Sequence, residues 1–213
     1  MTNFILVLKS GGQYQYQHVN ALVRQIEKYY AKQKRIICLT DKPDNIICET
    51  ENLRYNLPGW WSKMEIFRHT GKCFYIDLDT VIVNDITNIV DYPHKFTALR
   101  EASLNHGITK RMGSGLIAYN GDYSFMLDEF LKRKVDYMKN HGRGDQEFIE
   151  KYIPDFTGFQ DLFPNQFQSY KFTLQNKDIL LADTRIVYFH GKPKPWEVKH
   201  NWIPSYSDKE RTT

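Results

Sequence analysis

An early change of hydrophobic period constrains this chain most. Phe4–Leu8 (FILVL) is a short apolar run. Val19, Leu22, Val23, Ile26, Tyr29 and Tyr30 then recur at helical spacing, and RIICLTD returns to a short apolar run. Short apolar runs of this kind are buried strands, and recurrence at three and four positions marks one face of a helix. Strand, loop, helix, strand is a βαβ unit, which sets its strands parallel in a sheet covered by helices. The expectation is a single α/β, Rossmann-like domain over residues 1–213, with a mostly parallel central sheet flanked by helices. In open sheets of this type ligands bind beyond the carboxyl ends of the strands.

Further strands are expected at Lys72–Ile76, Thr80–Val83, Phe96–Leu99, the segment SGLIAYN and Arg185–Phe189. Helical patterns cover Trp61–His69, Phe125–Met138 and a short stretch opened by Asp145 and closed by Tyr152. Arg100–Met112 has no clear period and reads as a loop or lid, and the tail from Asn201 as frayed.

The 213 residues suffice for one core but not for two ordinary domains. A net charge of +4 without a polybasic tract argues against nucleic-acid binding and suits a phosphate-bearing ligand. Cys38, Cys48 and Cys73 form no CxxC pair and read as reduced core thiols. No apolar stretch approaches the ~20 residues of a membrane span. The expected location is the cytoplasm, with peripheral membrane contact open.

The chemistry concentrates in FYIDLDT, where Asp77 and Asp79 follow a buried strand at alternate positions. Two such carboxylates repel unless a cation or proton lies between them, and oxygen ligands of this kind suit Mn²⁺ or Mg²⁺. An ion held there would bridge a diphosphate and stabilise the leaving phosphate. The plain alternative is a turn whose acids cap a helix or face water.

With its surroundings, this segment resembles the GT-A glycosyltransferases, more narrowly the glycogenin-like and lipopolysaccharide-galactosyltransferase-like retaining enzymes. The resemblance runs through Ser62-Lys63-Met64, the acidic pair, MGSGLIAYN, Asp145-Gln146 and HGKPKPW, in the family's order. It implies that Asp77, Asp79 and His190 hold the metal, and that Asp77 also meets the nucleotide. Lys63, Ser114, Gly115, Gly191 and Lys192 or Lys194 would contact the donor, while Asp145 and Gln146 approach its sugar. Leu8, Ser10 and Tyr14, at and beyond the end of the first strand, are expected at the nucleotide. A UDP-sugar donor and transfer with retention follow from the same resemblance, while the acceptor, whether glycan, lipid-linked or protein, is left open. The carboxyl-terminal motif departs from the family's H-x-x-G-x-x-K-P-W spacing, because Gly191 follows His190 directly.

Local readings stay beside these. Asp145 suits a helix N-cap, Lys63 an exposed helix position, Trp60-Trp61 a core pair, and Gly11-Gly12 a simple turn. Arg100 and Glu101 suit either a donor contact or a pair with each other, and Phe156, Phe159 and Phe163 suit either a sugar or the core. DLDTV also fits the signature of haloacid-dehalogenase-like phosphatases. A non-catalytic sugar-nucleotide-binding domain is the third reading.

Overall fold

The computed structural model describes residues 1–103, 107–140, 142–175 and 180–207. Strand β1 (Thr2–Leu8), helix α1 (Tyr16–Tyr29) and strand β2 (Lys34–Thr40) form the expected βαβ unit. Strand β3 (Glu49–Asn52) follows, then a 3₁₀ helix over Gly59–Arg68, β4 (Gly71–Ile76), β5 (Thr80–Ile82) and α2 (Thr87–Asp91). The antiparallel pair β6 (Phe96–Ser103) and β7 (Gly107–Gly121) leads to helices α3 (Ser124–Lys132), α4 (Lys134–Asn140) and α5 (Asp145–Tyr152). The chain closes through β8 (Thr157–Gly158), α6 (Phe159–Leu162), β9 (Phe167–Ser169), a π-helical turn at Tyr170–Leu174, β10 (Ile186–Tyr188) and a 3₁₀ turn at Pro195–Glu197.

The main sheet has seven strands in the order β3-β2-β1-β4-β7-β6-β8. Only β7 runs against its neighbours; the β3-β2-β1-β4 half and the β6–β8 pair are parallel. Alternate side chains of β1 leave on opposite faces: Phe4, Leu6 and Leu8 enter one core, and Ile5 enters the other. The first core is covered by α1, α2 and α6, the second by the 3₁₀ helix, α3, α4 and α5. Strand β1 is thus buried on both faces, which is why FILVL is continuously apolar. A smaller sheet, β5-β10-β9, carries the carboxyl-terminal segment beside the main one.

Chain direction reverses laterally at β1, since α1 leads to β2 on one side whereas the 3₁₀ segment leads to β4 on the other. Ligands of open sheets collect at such a switch point.

Three expectations are corrected. Arg100–Met112 is no loop over its described residues: β6 continues through Ser103 and β7 begins at Gly107, while 104–106 lie outside the described residues. A hairpin reaching past the sheet has water on its faces, so its polar residues hide the strand period. The helix expected over Phe125–Met138 is broken at Arg133, whose backbone leaves the helical region (φ −136°, ψ 32°). The change of axis lets Tyr137 meet Phe130 and Phe148 at ring-centroid distances of 6.2 and 4.7 Å. The tail from Asn201 is packed as far as described: Trp202 and Ile203 lie against the Val81–Val187 cluster, and Tyr206 lies 5.6 Å from the Trp196 ring.

Candidate active site

Asp77 follows the last residue of β4 and is fixed by its backbone, whose N–H donates to the Gly115 carbonyl at 2.8 Å. The close approach is shaped by β7. Ala98 pairs with Ile117 but Leu99 pairs with Gly113, so Ser114, Gly115 and Leu116 bulge out of the β6–β7 ladder, while Leu116 stays paired with Ile76 of β4. Bulges of this kind re-aim side chains at the edge of a site. A Cβ on Gly115 would come 3.4 Å from Asp77 Oδ2, so the glycine keeps that carboxylate accessible.

The bulge aims Ser114 at a buried lysine. Lys63 Nζ lies 3.0 Å from Ser114 Oγ and 3.2 Å from its carbonyl, 3.2 Å from Asp77 Oδ1 and 3.1 Å from Asp145 Oδ2. Ser114 Oγ itself donates to Asp145 Oδ2 at 2.6 Å. Lys63 is therefore not a solvated helix residue. Burial opposes its charge, but Asp145 and Asp77 outweigh burial and hold it firmly protonated. Asp145 is the first helical residue of α5, not its cap: Gly144, at φ +69°, takes the cap position and turns the Asp145 side chain inward.

Burial pushes the Asp77 carboxyl up to about 6; Lys63 opposes the rise and Asp79 adds to it. Tyr75 donates its hydroxyl to Asp77 Oδ1. Asp79 is buried and has a different partner. Its Oδ2 accepts from Lys194 Nζ at 2.5 Å and from the Tyr14 hydroxyl at 2.9 Å. Lys194 thus comes from HGKPKPW into the site, while Lys192 stays outside, 75% exposed and bonded to Glu197 Oε1 at 2.9 Å.

Two cavities open on this network. One, of about 480 Å³, is lined by Asp77, Asp79, Ser114, Gly115, Asp145, Gln146 and His190 among others. The other, of about 800 Å³, runs over the end of β1 along Lys9–Tyr14. Tyr14, Trp60, Lys63, Asp77, Gly191 and Lys194 line both. Ser10 lies in the second cavity, with its N–H and Oγ each 2.8 Å from Asp41. Leu8 does not join them; its side chain is buried in the core beneath α1.

No family model matches the chain. A curated relative, the inositol phosphorylceramide glucuronosyltransferase 1 of Arabidopsis thaliana, is 26% identical over an alignment covering 68% of this chain and 30% of that protein. The chain therefore spans less than a third of this relative. Among solved structures, the glycosyltransferase GlyE of Streptococcus pneumoniae TIGR4 superposes with a TM-score of 0.66 at 14% identity, over 94% of this chain and 58% of GlyE. The galactosyltransferase LgtC, in complex with donor and acceptor sugar analogues, gives 0.62 at 12% identity, over 95% and 91%. The fold is that of the GT-A glycosyltransferases.

Within the GT-A fold, DLDTV follows the fourth strand of the chain and sits at the centre of the sheet. The phosphatase signature would end the first strand of its domain.

The metal expectation meets an obstacle. Among the described residues no group of three or more His, Cys, Asp or Glu side chains is arranged to hold an ion. His190 lines the first cavity, but its Nε2 is 2.8 Å from Ser169 Oγ, and Asp79 is taken by Lys194. Burial and the nearby Lys171 lower the basicity of His190. As arranged, Asp77, Asp79 and His190 do not fit as an ion's shell.

The sequence alone missed several residues of the candidate site. Lys9 Nζ bridges Asp41 (2.5 Å) and Asn56 (3.0 Å) at the rim of the second cavity. The signal for Asp41 was its place directly after β2, beside the end of β1. Trp61 is core as expected, but Trp60 is 64% exposed over both cavities, and a Cβ on Gly144 would strike its indole at 2.5 Å. Arg100 and Glu101 line the first cavity without pairing to each other: Arg100 holds Asp161 at 2.8 Å, and Glu101 lies 3.4 Å from Arg143. Phe156, Phe159 and Phe163 are all buried core. No described helix is long and apolar enough to cross a membrane.

Proposed function

We propose that this chain is a glycosyltransferase that moves a sugar from a nucleotide-diphosphate donor, a UDP-sugar, to an acceptor hydroxyl with retention. One observation carries the reading: residues from five separate segments, Lys63, Asp77, Ser114, Asp145 and Lys194, converge on two joined cavities at the switch point of a GT-A sheet. A phosphatase or an incidental acidic turn gives no reason for Asp145 to turn away from capping and into the cavity.

The joined cavities suit a two-part ligand. The nucleoside occupies the groove over Lys9–Tyr14, the diphosphate lies at the residues common to both cavities, and the sugar extends toward Asp145 and Gln146. Lys194 offers positive charge to the departing diphosphate. The bond from the anomeric carbon to the phosphate oxygen breaks, a bond to the acceptor oxygen forms, and the acceptor proton is released. Asp145, locked by Ser114 and Lys63, keeps one oxygen edge fixed toward the sugar. Retention is supported by the resemblance to the glycogenin-like and lipopolysaccharide-galactosyltransferase-like group.

Thermal unfolding with UDP-, GDP- and CMP-sugars, with and without Mn²⁺, together with donor hydrolysis, tests the proposal. UDP-sugars should stabilise the wild type and be slowly hydrolysed, and both responses should vanish in Asp77→Asn. Absence of any donor response, or cleavage of an aryl phosphate abolished by Asp77→Asn, sinks it.

A further inference from the structure

The arrangement at Asp79 points beyond the choice of donor. A divalent ion expected at the acidic pair would bond the Asp79 carboxylate, and Oδ2 of that carboxylate is already engaged. Asp79 Oδ2 is 2.5 Å from Lys194 Nζ and 2.9 Å from the Tyr14 hydroxyl, and Lys194 Nζ is 3.1 Å from the same hydroxyl. Both charged side chains are over nine-tenths buried, at 8% exposure for Lys194 and 7% for Asp79.

An ammonium on one oxygen of a buried carboxylate opposes a divalent cation on the same group, because their repulsion in a poorly hydrated site is far larger than in water. The position is built rather than incidental. The Lys194 N–H donates to Glu197 Oε2 at 2.9 Å, which fixes the base of the side chain at the start of the last 3₁₀ turn. Asp77 offers at most one oxygen in its place, since Lys63 and Tyr75 hold Oδ1 and Lys63 also reaches Oδ2 at 3.4 Å. His190 is turned to Ser169.

We propose that Lys194 is the resident counter-cation of Asp79, so that the free chain holds its acidic pair closed to divalent cations with its own ammonium. The pair opens only when Lys194 leaves Asp79, and an anionic ligand reaching the shared rim of the two cavities is what draws it off. This deepens the nucleotide-sugar reading and rests on it for the identity of the anion, but its test needs no donor, so the two fail separately.

The experiment is Mn²⁺ alone, titrated into donor-free protein and followed by the loss of the free Mn²⁺ electron-spin signal, with thermal unfolding in parallel. Lys194→Met should bind Mn²⁺ at least about tenfold more tightly than wild type, one decade being about 1.4 kcal/mol. Mn²⁺ should raise its melting temperature and leave that of the wild type unchanged. The gain should disappear in Lys194→Met combined with Asp79→Asn. Lys194→Gln, which keeps a hydrogen-bond donor without the charge, should show the same gain and serves if the Met variant folds poorly. Wild-type affinity equal to that of both variants, no gain in either, or a gain that survives loss of the Asp79 carboxylate would each overturn the proposal.

Discussion

The two buried lysines of the site hold their acids in different ways. Lys63 lies within 3.2 Å of two carboxylates, a carbonyl and a hydroxyl, so an ammonium with three protons faces four oxygen partners. Lys194 has one carboxylate and one phenol, and it reaches them from a loop between β10 and the last 3₁₀ turn. The first arrangement is saturated and joins the 3₁₀ segment, β4, β7 and α5. The second joins that loop to Asp79, just ahead of β5, and to Tyr14 between β1 and α1. The difference separates what keeps the site in shape from what can move when a charged ligand arrives.

The largest effect should come from the saturated side. Lys63→Met leaves the buried Asp145 and the partly exposed Asp77 without their counter-charge, and breaking a buried pair costs about 3–5 kcal/mol. Chemical denaturation should show that loss whether or not donor is present. Asp79→Asn removes only one charged acceptor from Lys194, whose long stem can carry the ammonium to water, so about 1.5–3 kcal/mol is expected. Equal losses in the two variants would break the distinction between a pinned and a releasable lysine.

How much of this was legible depends on whether the signal is local. FILVL and RIICLTD announce their strands because a parallel centre is buried on both faces, whereas Glu49–Asn52 pairs only at the sheet edge and reads as polar chain. The polar hairpin beyond Leu99 was illegible for the same reason. In the site, Asp77, Lys63, Ser114 and Asp145 stood out through their order along the chain. The pairing of Lys9 with Asp41 and Asn56 spans 32 and 47 residues and leaves no spacing to recognise. Nor could sequence say that Asp79 would pair with Lys194 and His190 with Ser169, since that depends on the path of the HGKPKPW loop.

A lysine–aspartate cluster at the opposite end of the sheet sharpens the comparison through pH. Burial alone would raise the Asp91 carboxyl, but hydrogen bonds from Lys32, Tyr30 and Lys72 outweigh it and hold it down at about 2. A depressed folded-state value means that the stabilisation is complete above the ordinary carboxylate value of about 3.9 and is lost as pH falls from there through about 2. Melting temperatures across that window should fall less for Asp91→Asn than for wild type. Because Lys32 is 61% exposed, solvent screening keeps the difference small. A pH dependence unchanged by the substitution would show that the pairing contributes nothing.

The smallest effect is expected at Lys192, two positions from Lys194 and equal to it in charge. Its partner Glu197 is itself one-third exposed, and surface pairs of this kind contribute about 0–1 kcal/mol. Lys192→Ala should therefore change stability by less than about 1 kcal/mol and leave donor-induced stabilisation intact. Lys194→Met should reduce that stabilisation, because the ammonium removed is the one that lines both cavities. If the two substitutions weaken the donor response equally, burial on Asp79 is not what distinguishes them. The diphosphate would then be held by the net charge of the GKPK segment, whichever lysine carries it.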